Sequence, residues 1–297
     1  MKTNAIVRIV IYSLLIFILI GILGGVLQNT LPFPNEKIQR DDIHVPTESN
    51  IESTQMDFPA QVQNIEIDWV AGSITIHPSD SLEHINVNES FRDVASPEMI
   101  CRQTGHTLKI EFAEEHEKYH LFGNNESVRK DLVIRVPADW NCNAVKIDAA
   151  AADVAISGLQ INELDYDGAS GNLFMENCNI VDLDVDTASG DVEFSGILKD
   201  LDFDSASAKF YGEFLQMPNH LNLDAMSGDM ELVLPEYCRF TCELDTMSGS
   251  FVTDFETTQE NGIYICGDKE KACHIKISAM SGNVSILKGL TAPETTK

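Results

Sequence analysis

The sequence predicts an all-β fold, a β-solenoid or β-helix-like stack of strand-turn-strand repeats of about 20 residues, preceded by one N-terminal transmembrane α-helix. Three observations carry this. An unbroken apolar run covers residues 5–27, short alternating strands follow from residue 61, and one motif recurs from Val145 to the end of the chain.

Residues 1–4 are expected to be a cytoplasmic N-terminus and residues 5–27 a signal anchor. The run AIVRIVIYSLLIFILIGILGGVL carries Arg8 as its only charge, and at about 1.5 Å per residue it spans a bilayer core of about 30 Å. Lys2 and Arg8 lie on the N-terminal side and acidic residues follow, so the expected topology is a single-pass cell-membrane protein with its C-terminal domain extracytoplasmic. A cleaved signal peptide is the rival, but the run is long for one, and neither an Ala-x-Ala site nor a lipobox cysteine follows it. Residues 28–60 read as an extended linker, with Pro32, Pro34, Pro46 and Pro59 among polar residues of no sustained period.

Residues 61–140 form an N-terminal β region, in which Ile65–Asp68, Ser73–Ile76, Leu108–Phe112 and Leu132–Val136 alternate apolar with polar side chains. It contains one isolated copy of the later motif, IDWVAGSITI, with Asp68 and Gly72. Residues 141–290 are the repeats proper, and 291–297 a flexible tail. Successive copies read VKIDAAAADVAI, LDYDGASGNLFM, LDVDTASGDVEF, LDFDSASAKFYG, LNLDAMSGDMEL, CELDTMSGSFVT and IKISAMSGNVSI. Equivalent positions (Asp148, Asp167, Asp186, Asp204, Asp224, Asp245) recur every 18 to 21 residues or so, and a longer step leads to Ser278. No such unit hides its apolar face alone; stacked neighbours do it jointly. Leu183, Val185, Val192 and Phe194 should therefore point inward, and Asp184, Asp191 and Glu193 to water.

Between the two strands of each copy the chain must turn. The expected turn residues are Asp167, Ser170, Gly171, Asp186, Ser189, Gly190, Asp224, Ser227, Gly228, Asp245, Ser248, Gly249, Ser281 and Gly282, with the Asp accepting turn amides and the Gly supplying a positive φ. Ala152 and Ala208 replace that Gly in two copies. On these Asp-x-x-Ser-Gly turns, and on the strand-then-proline steps ending at Pro137 and Pro235, the chain from about Gln61 to Leu287 resembles the bacterial putative-adhesin β-strand-repeat domain family. The resemblance implies a solenoid-like fold and an envelope location, and brings no catalytic residues with it.

With 47 acidic against 20 basic side chains and a net charge of -27, the chain repels a phosphate backbone, which excludes nucleic acid as a partner. The same field suits cations, basic proteins or plain hydration. If the repeats stack in register, Asp165, Asp184 and Asp202 form one outward row, and Asp167, Asp186, Asp204, Asp224 and Asp245 another, which calcium would relieve; otherwise no cofactor is expected. A third row, ending in Met226, Met247 and Met280, reads as filler of core gaps before it reads as a copper site. Seven cysteines include no CxxC pair, and Cys266 and Cys273 are candidates for a disulfide across a hairpin. His116, Glu117 and His120 spell HExxH, the pattern in which two histidines one helical turn apart hold zinc beside a general base. The segment lacks an apolar face to bury such a helix, so a solvated loop is the plainer reading. The functional expectation is a non-enzymatic, membrane-anchored, adhesin-like binding or scaffold module of the cell envelope, with an accessory role in envelope stress as one form of it. Its partners would be the membrane, through the N-terminal helix, and envelope proteins or wall polymers; the alternative is a zinc metalloprotease.

Overall fold

The computed structural model describes residues 52–91, 98–113 and 128–289. The membrane anchor, the linker up to residue 51, His116, Glu117 and His120, and the tail at 291–297 lie outside the described residues. Nineteen strands and one 3-10 turn make up this part of the chain. The first six are β1 (Glu52–Pro59), β2 (Asn64–Ser79), β3 (His84–Phe91), β4 (Ile100–Thr104), β5 (Thr107–Glu111) and β6 (Lys130–Pro137). Long strands follow: β7 (Cys142–Ser157), β8 (Gln160–Ser170), β9 (Leu173–Ser189) and β10 (Val192–Ser207). The chain ends with β11 (Phe210–Phe214), β12 (His220–Ser227), β13 (Met230–Leu234), β14 (Phe240–Ser248), β15 (Phe251–Thr253), β16 (Thr258–Glu260), β17 (Ile263–Cys266), β18 (Cys273–Ser281) and β19 (Val284–Lys288).

These strands build two ladders, because each repeat contributes one strand segment to either side of a shared core. The first ladder runs β5, β2, β7, β8, β9, β10, β12, β18, β14, all parallel. The second runs β6, β2, β7, β9, β10, β11, β13, β19, β15, again parallel. Antiparallel strands close three of the four ends: β4 covers β5, β3 covers β6 with β1 outside it, and β17 with β16 covers β14, while β15 pairs with β19 and has no covering strand among the described residues. Capping of this kind gives the outermost repeats the hydrogen bonds that an open edge would leave bare.

Inward columns form the core, as the alternation requires. Ile67, Ile147, Tyr166, Val185, Phe203, Leu223, Ile277 and Leu244 occupy successive positions of one column. All but Leu244 are fully buried, and Leu244 packs half-buried against them. Each fully buried side chain of this size contributes about 1.5–3 kcal/mol over its exposed state.

The structure corrects the sequence reading in four places. Residues 52–59, assigned to the linker, pair as strand β1 along the whole of β3; their alternation of polar and apolar side chains is short, and Pro59 hides its end. The copy at residues 67–76 is not isolated, because β2 lies directly on β7 with Asp68 opposite Asp148 and Gly72 opposite Ala152. The last two repeats do not stack in chain order: the C-terminal unit, β18 and β19, slides between β12–β13 and β14–β15. Its long preceding connection makes that return possible. Finally, Cys266 and Cys273 do not face each other, since both are register partners of Phe240 and lie on opposite sides of β14. Two strand spacings, about 9.6 Å, exceed what a disulfide bridges, and all seven cysteines are free.

Candidate functional site

Registered stacking puts the outward carboxylates in a continuous ladder. Glu111, Asp68, Asp148, Asp167, Asp186, Asp204 and Asp224 are opposite one another on seven adjacent strands; Ser278 then interrupts the column before Asp245. Beside it, two residues earlier on each strand, run Lys146, Asp165, Asp184, Asp202 and Asn222. Neighbouring strands are about 4.8 Å apart, so two adjacent carboxylates at an effective dielectric of about 20 repel by about 3.5 kcal/mol before screening.

The two halves of the ladder meet that repulsion differently. In the first half, the Lys146 ammonium donates to Asp165 at 3.0 Å and to Asp167 at 3.2 Å, and lies 3.8 Å from Asp148. The hydrogen bond to Asp165, with those to its neighbours, holds the Lys146 pKa above the ordinary lysine range. Farther along, no lysine or arginine among the described residues pairs with Asp184, Asp204 or Asp224. Burial, followed by the charges of Asp186 and Asp202, raises the pKa of Asp184 to about 6. Burial, followed by the charges of Asp202, Asp186 and Asp224, raises that of Asp204 to about 7. Asp224 is 3% exposed, and neither of its carboxylate oxygens has a hydrogen-bond partner in the protein. Asp204 Oδ1 and Asn222 Oδ1 are buried and unpartnered as well.

Asp224 therefore does not accept turn amides, the role its place in the motif had suggested. Asp167 accepts from Lys146. The corner amides are held instead by the residue after the Gly, or after the Ala that replaces it at residue 152. Asn172 N–H donates to Asp153 Oδ1 at 2.9 Å, Asp191 N–H to Asn172 Oδ1 at 2.9 Å, and Asn283 N–H to Asp229 Oδ1 at 2.8 Å. Gly190 does take a positive φ, +117°, and a Cβ there would fall 1.9 Å from the Gly171 carbonyl oxygen. Ala152 and Ala208 keep negative φ and are buried, so their corners differ. Met247 and Met280 are 78% and 53% exposed, which removes them from the core-filling role.

Sequence reasoning passed over Asn222 and Lys146, although both broke the pattern visibly: LNLD stands where LDxD is the rule, and a lysine precedes the first Asp. It also passed over a core ion pair. Lys130 and Glu89, both without solvent exposure, pair under the rings of Phe112, Trp69 and Phe91. Lys130 donates to the Phe112 carbonyl at 2.6 Å, and Glu89 accepts the Met99 amide at 2.8 Å. Among the described residues, no three His, Cys, Asp or Glu side chains converge into a metal site.

Fold and site together define an all-β repeat domain with a carboxylate-lined outer face and no assembled catalytic group among the described residues. Residues 62–287 match the family described as Toastrack DUF4097, and the chain belongs to that family. No curated relative matches it. Among solved structures it is similar to a "putative adhesin" from Bacteroides fragilis, at 14% identity and a TM-score of 0.51, covering 82% of this chain and 98% of that one. A "putative cell adhesion protein" from Clostridium sporogenes matches at 13% identity and a TM-score of 0.39, covering 81% and 100%. A "putative adhesin" from Parabacteroides distasonis matches at 11% identity and a TM-score of 0.39, covering 82% and 98%. At these identities the likeness concerns the fold.

Proposed function

We propose that this chain is a membrane-tethered, extracytoplasmic binding or scaffold module of the bacterial envelope, whose solenoid-like stack presents the carboxylate ladder to envelope proteins or wall polymers. The observation that carries the reading is the ladder itself: seven acidic positions on adjacent strands, held in register by inward columns of apolar side chains. A rigid row of like charges at a fixed spacing is poor for stability and good for recognising a complementary surface. The apolar run at residues 5–27 supports the tether, and the family match supports an adhesin-like module over an enzyme.

The test is capture with the full-length chain in native membranes, using cross-linking and comparing wild type with a variant carrying Asp184→Asn, Asp186→Asn and Asp202→Asn. The reading expects envelope proteins or wall fragments recovered by the wild type and lost with the variant. Equal recovery by both, or recovery of no envelope component, contradicts it. Protease added to intact cells should digest the repeat domain while sparing cytoplasmic proteins; a protected domain contradicts the orientation.

A further inference from the structure

We infer that Asp204, Asp224 and Asn222 form a binding site for one calcium ion, built into the second half of the carboxylate ladder. Four buried oxygens there have no hydrogen-bond partner: Asp204 Oδ1, both oxygens of Asp224, and Asn222 Oδ1. They come from two adjacent strands, through the register steps Asp202 to Asn222 and Asp204 to Asp224. Every one is an acceptor, and none is given a donor by the protein. Buried polar atoms are ordinarily satisfied, so four in one place call for a donor or a cation from outside.

The amide of Asn222 fixes which of its atoms is available. Its Nδ2 donates to Asp202 Oδ1 at 2.7 Å, which commits the nitrogen to the neighbouring carboxylate and leaves the oxygen as a ligand. Asp224 is the second, independent mark: a carboxylate 97% buried would not ordinarily be left without a hydrogen bond, and its charge bears directly on Asp204. The first half of the same ladder shows what the protein does where it supplies its own cation, since Lys146 bridges Asp165 and Asp167. In the register position next to Asn222 stands Lys276, but it makes no hydrogen bond to Asp224.

The donor set selects the ion. Oxygen ligands alone, with no imidazole or thiolate, suit hard divalent cations rather than zinc or copper. Two carboxylates and one amide oxygen leave further positions to water, which calcium, with its variable coordination of six to eight oxygens, accepts more readily than magnesium accepts a non-octahedral frame. Among the described residues no three carboxylate, histidine or cysteine side chains converge, so the affinity should resemble that of extracellular modules, a Kd of about 10⁻⁴–10⁻³ M.

Calorimetric titration of the full-length chain in detergent with calcium chloride at pH 7.5 tests this. One saturable site per chain is expected. Asp224→Asn should weaken binding at least tenfold and Asn222→Ala severalfold, whereas Asp182→Asn, another outward carboxylate, should leave it unchanged. Far-UV circular dichroism checks that each variant is folded; should Asp224→Asn fail to fold, Asn222→Ala carries the comparison. No saturation up to about 10 mM calcium, beyond the weakest extracellular sites, overturns the proposal. So does an equal loss in Asp224→Asn and Asp182→Asn, which would mark diffuse counter-ions, and so does magnesium binding as tight as calcium. Capture of envelope partners is read separately, so either result can fail alone.

Discussion

Glu89 and Asp224 are both carboxylates taken out of water, and the chain treats them in opposite ways. Glu89, at the N-terminal end of the core, is paired with Lys130 and also accepts the Met99 amide, while Lys130 is surrounded by three aromatic rings and bonded to the Phe112 carbonyl. Asp224 sits on the outer face of the ladder with no donor and with Asp204 as its register neighbour. The first arrangement is closed and serves the fold. It also ties down the chain on both sides of the β4–β5 pair, since Met99 precedes β4 and Phe112 follows β5. The second is open, and a stable fold gains nothing from leaving it so, which points to a ligand there.

The largest effect expected is at the closed site. Lys130→Met leaves Glu89 buried without its counter-charge and should lower stability by about 3–5 kcal/mol in urea unfolding. Adding Glu89→Gln, which keeps an acceptor for the Met99 amide, should regain a large part of that loss; if the double variant is no better than the single, the pair is not a closed unit. Next comes the register that crowds the open site. Gly190→Ala forces a Cβ against the Gly171 carbonyl and an unfavourable φ, and should cost more than about 1 kcal/mol. Retention of the wild-type midpoint would mean that the corner yields more easily than its geometry implies.

A smaller effect comes from pH. The pKa values of Asp204 and Asp184 are raised in the folded state to about 7 and about 6, above the 3.8 of an ordinary aspartate. The folded chain therefore binds more protons than the unfolded one between about pH 4 and pH 7. Their stabilising contribution is fully present below about pH 3.8 and is lost as pH rises through 6 and 7. Urea midpoints in the presence of a chelator should fall from pH 5 to pH 8, and Asp204→Asn should flatten that slope. An unchanged slope would place the titration elsewhere. Smallest is Lys146→Met: this exposed network is worth less than about 1 kcal/mol by the scale of surface ion pairs. A larger loss would show that the first half of the ladder depends on its lysine more than half-exposed pairs usually do.

The contrast also shows what the sequence made legible. Strand alternation and the recurring Asp revealed the inward columns and the outward rows, because period-two burial and a fixed repeat length are local properties of the chain. Insertion of β18 between β12 and β14 was not legible, since any repeat with the right apolar pattern fits any neighbour, and only the long step from Asp245 to Ser278 hinted at a detour. The Cys266–Cys273 expectation failed for a related reason: short sequence separation implied a hairpin, whereas β14 passes between the two. The Lys130–Glu89 pair joins residues 41 positions apart and left no periodic trace. Asn222 was legible as a broken rule, yet its consequence, four acceptors without donors, depends on which strand lies beside which.

A buried, donorless Asp224 is a destabilising charge when no cation is present, and unfolding of Asp224→Asn at pH 8 with chelator measures that directly. An asparagine there can donate to Asp204 as Asn222 already donates to Asp202, so the urea midpoint should rise above that of the wild type. A midpoint that falls would mean that the Asp224 carboxylate already has what it needs within the protein, and the open half of the ladder would then be as closed as the Glu89 site.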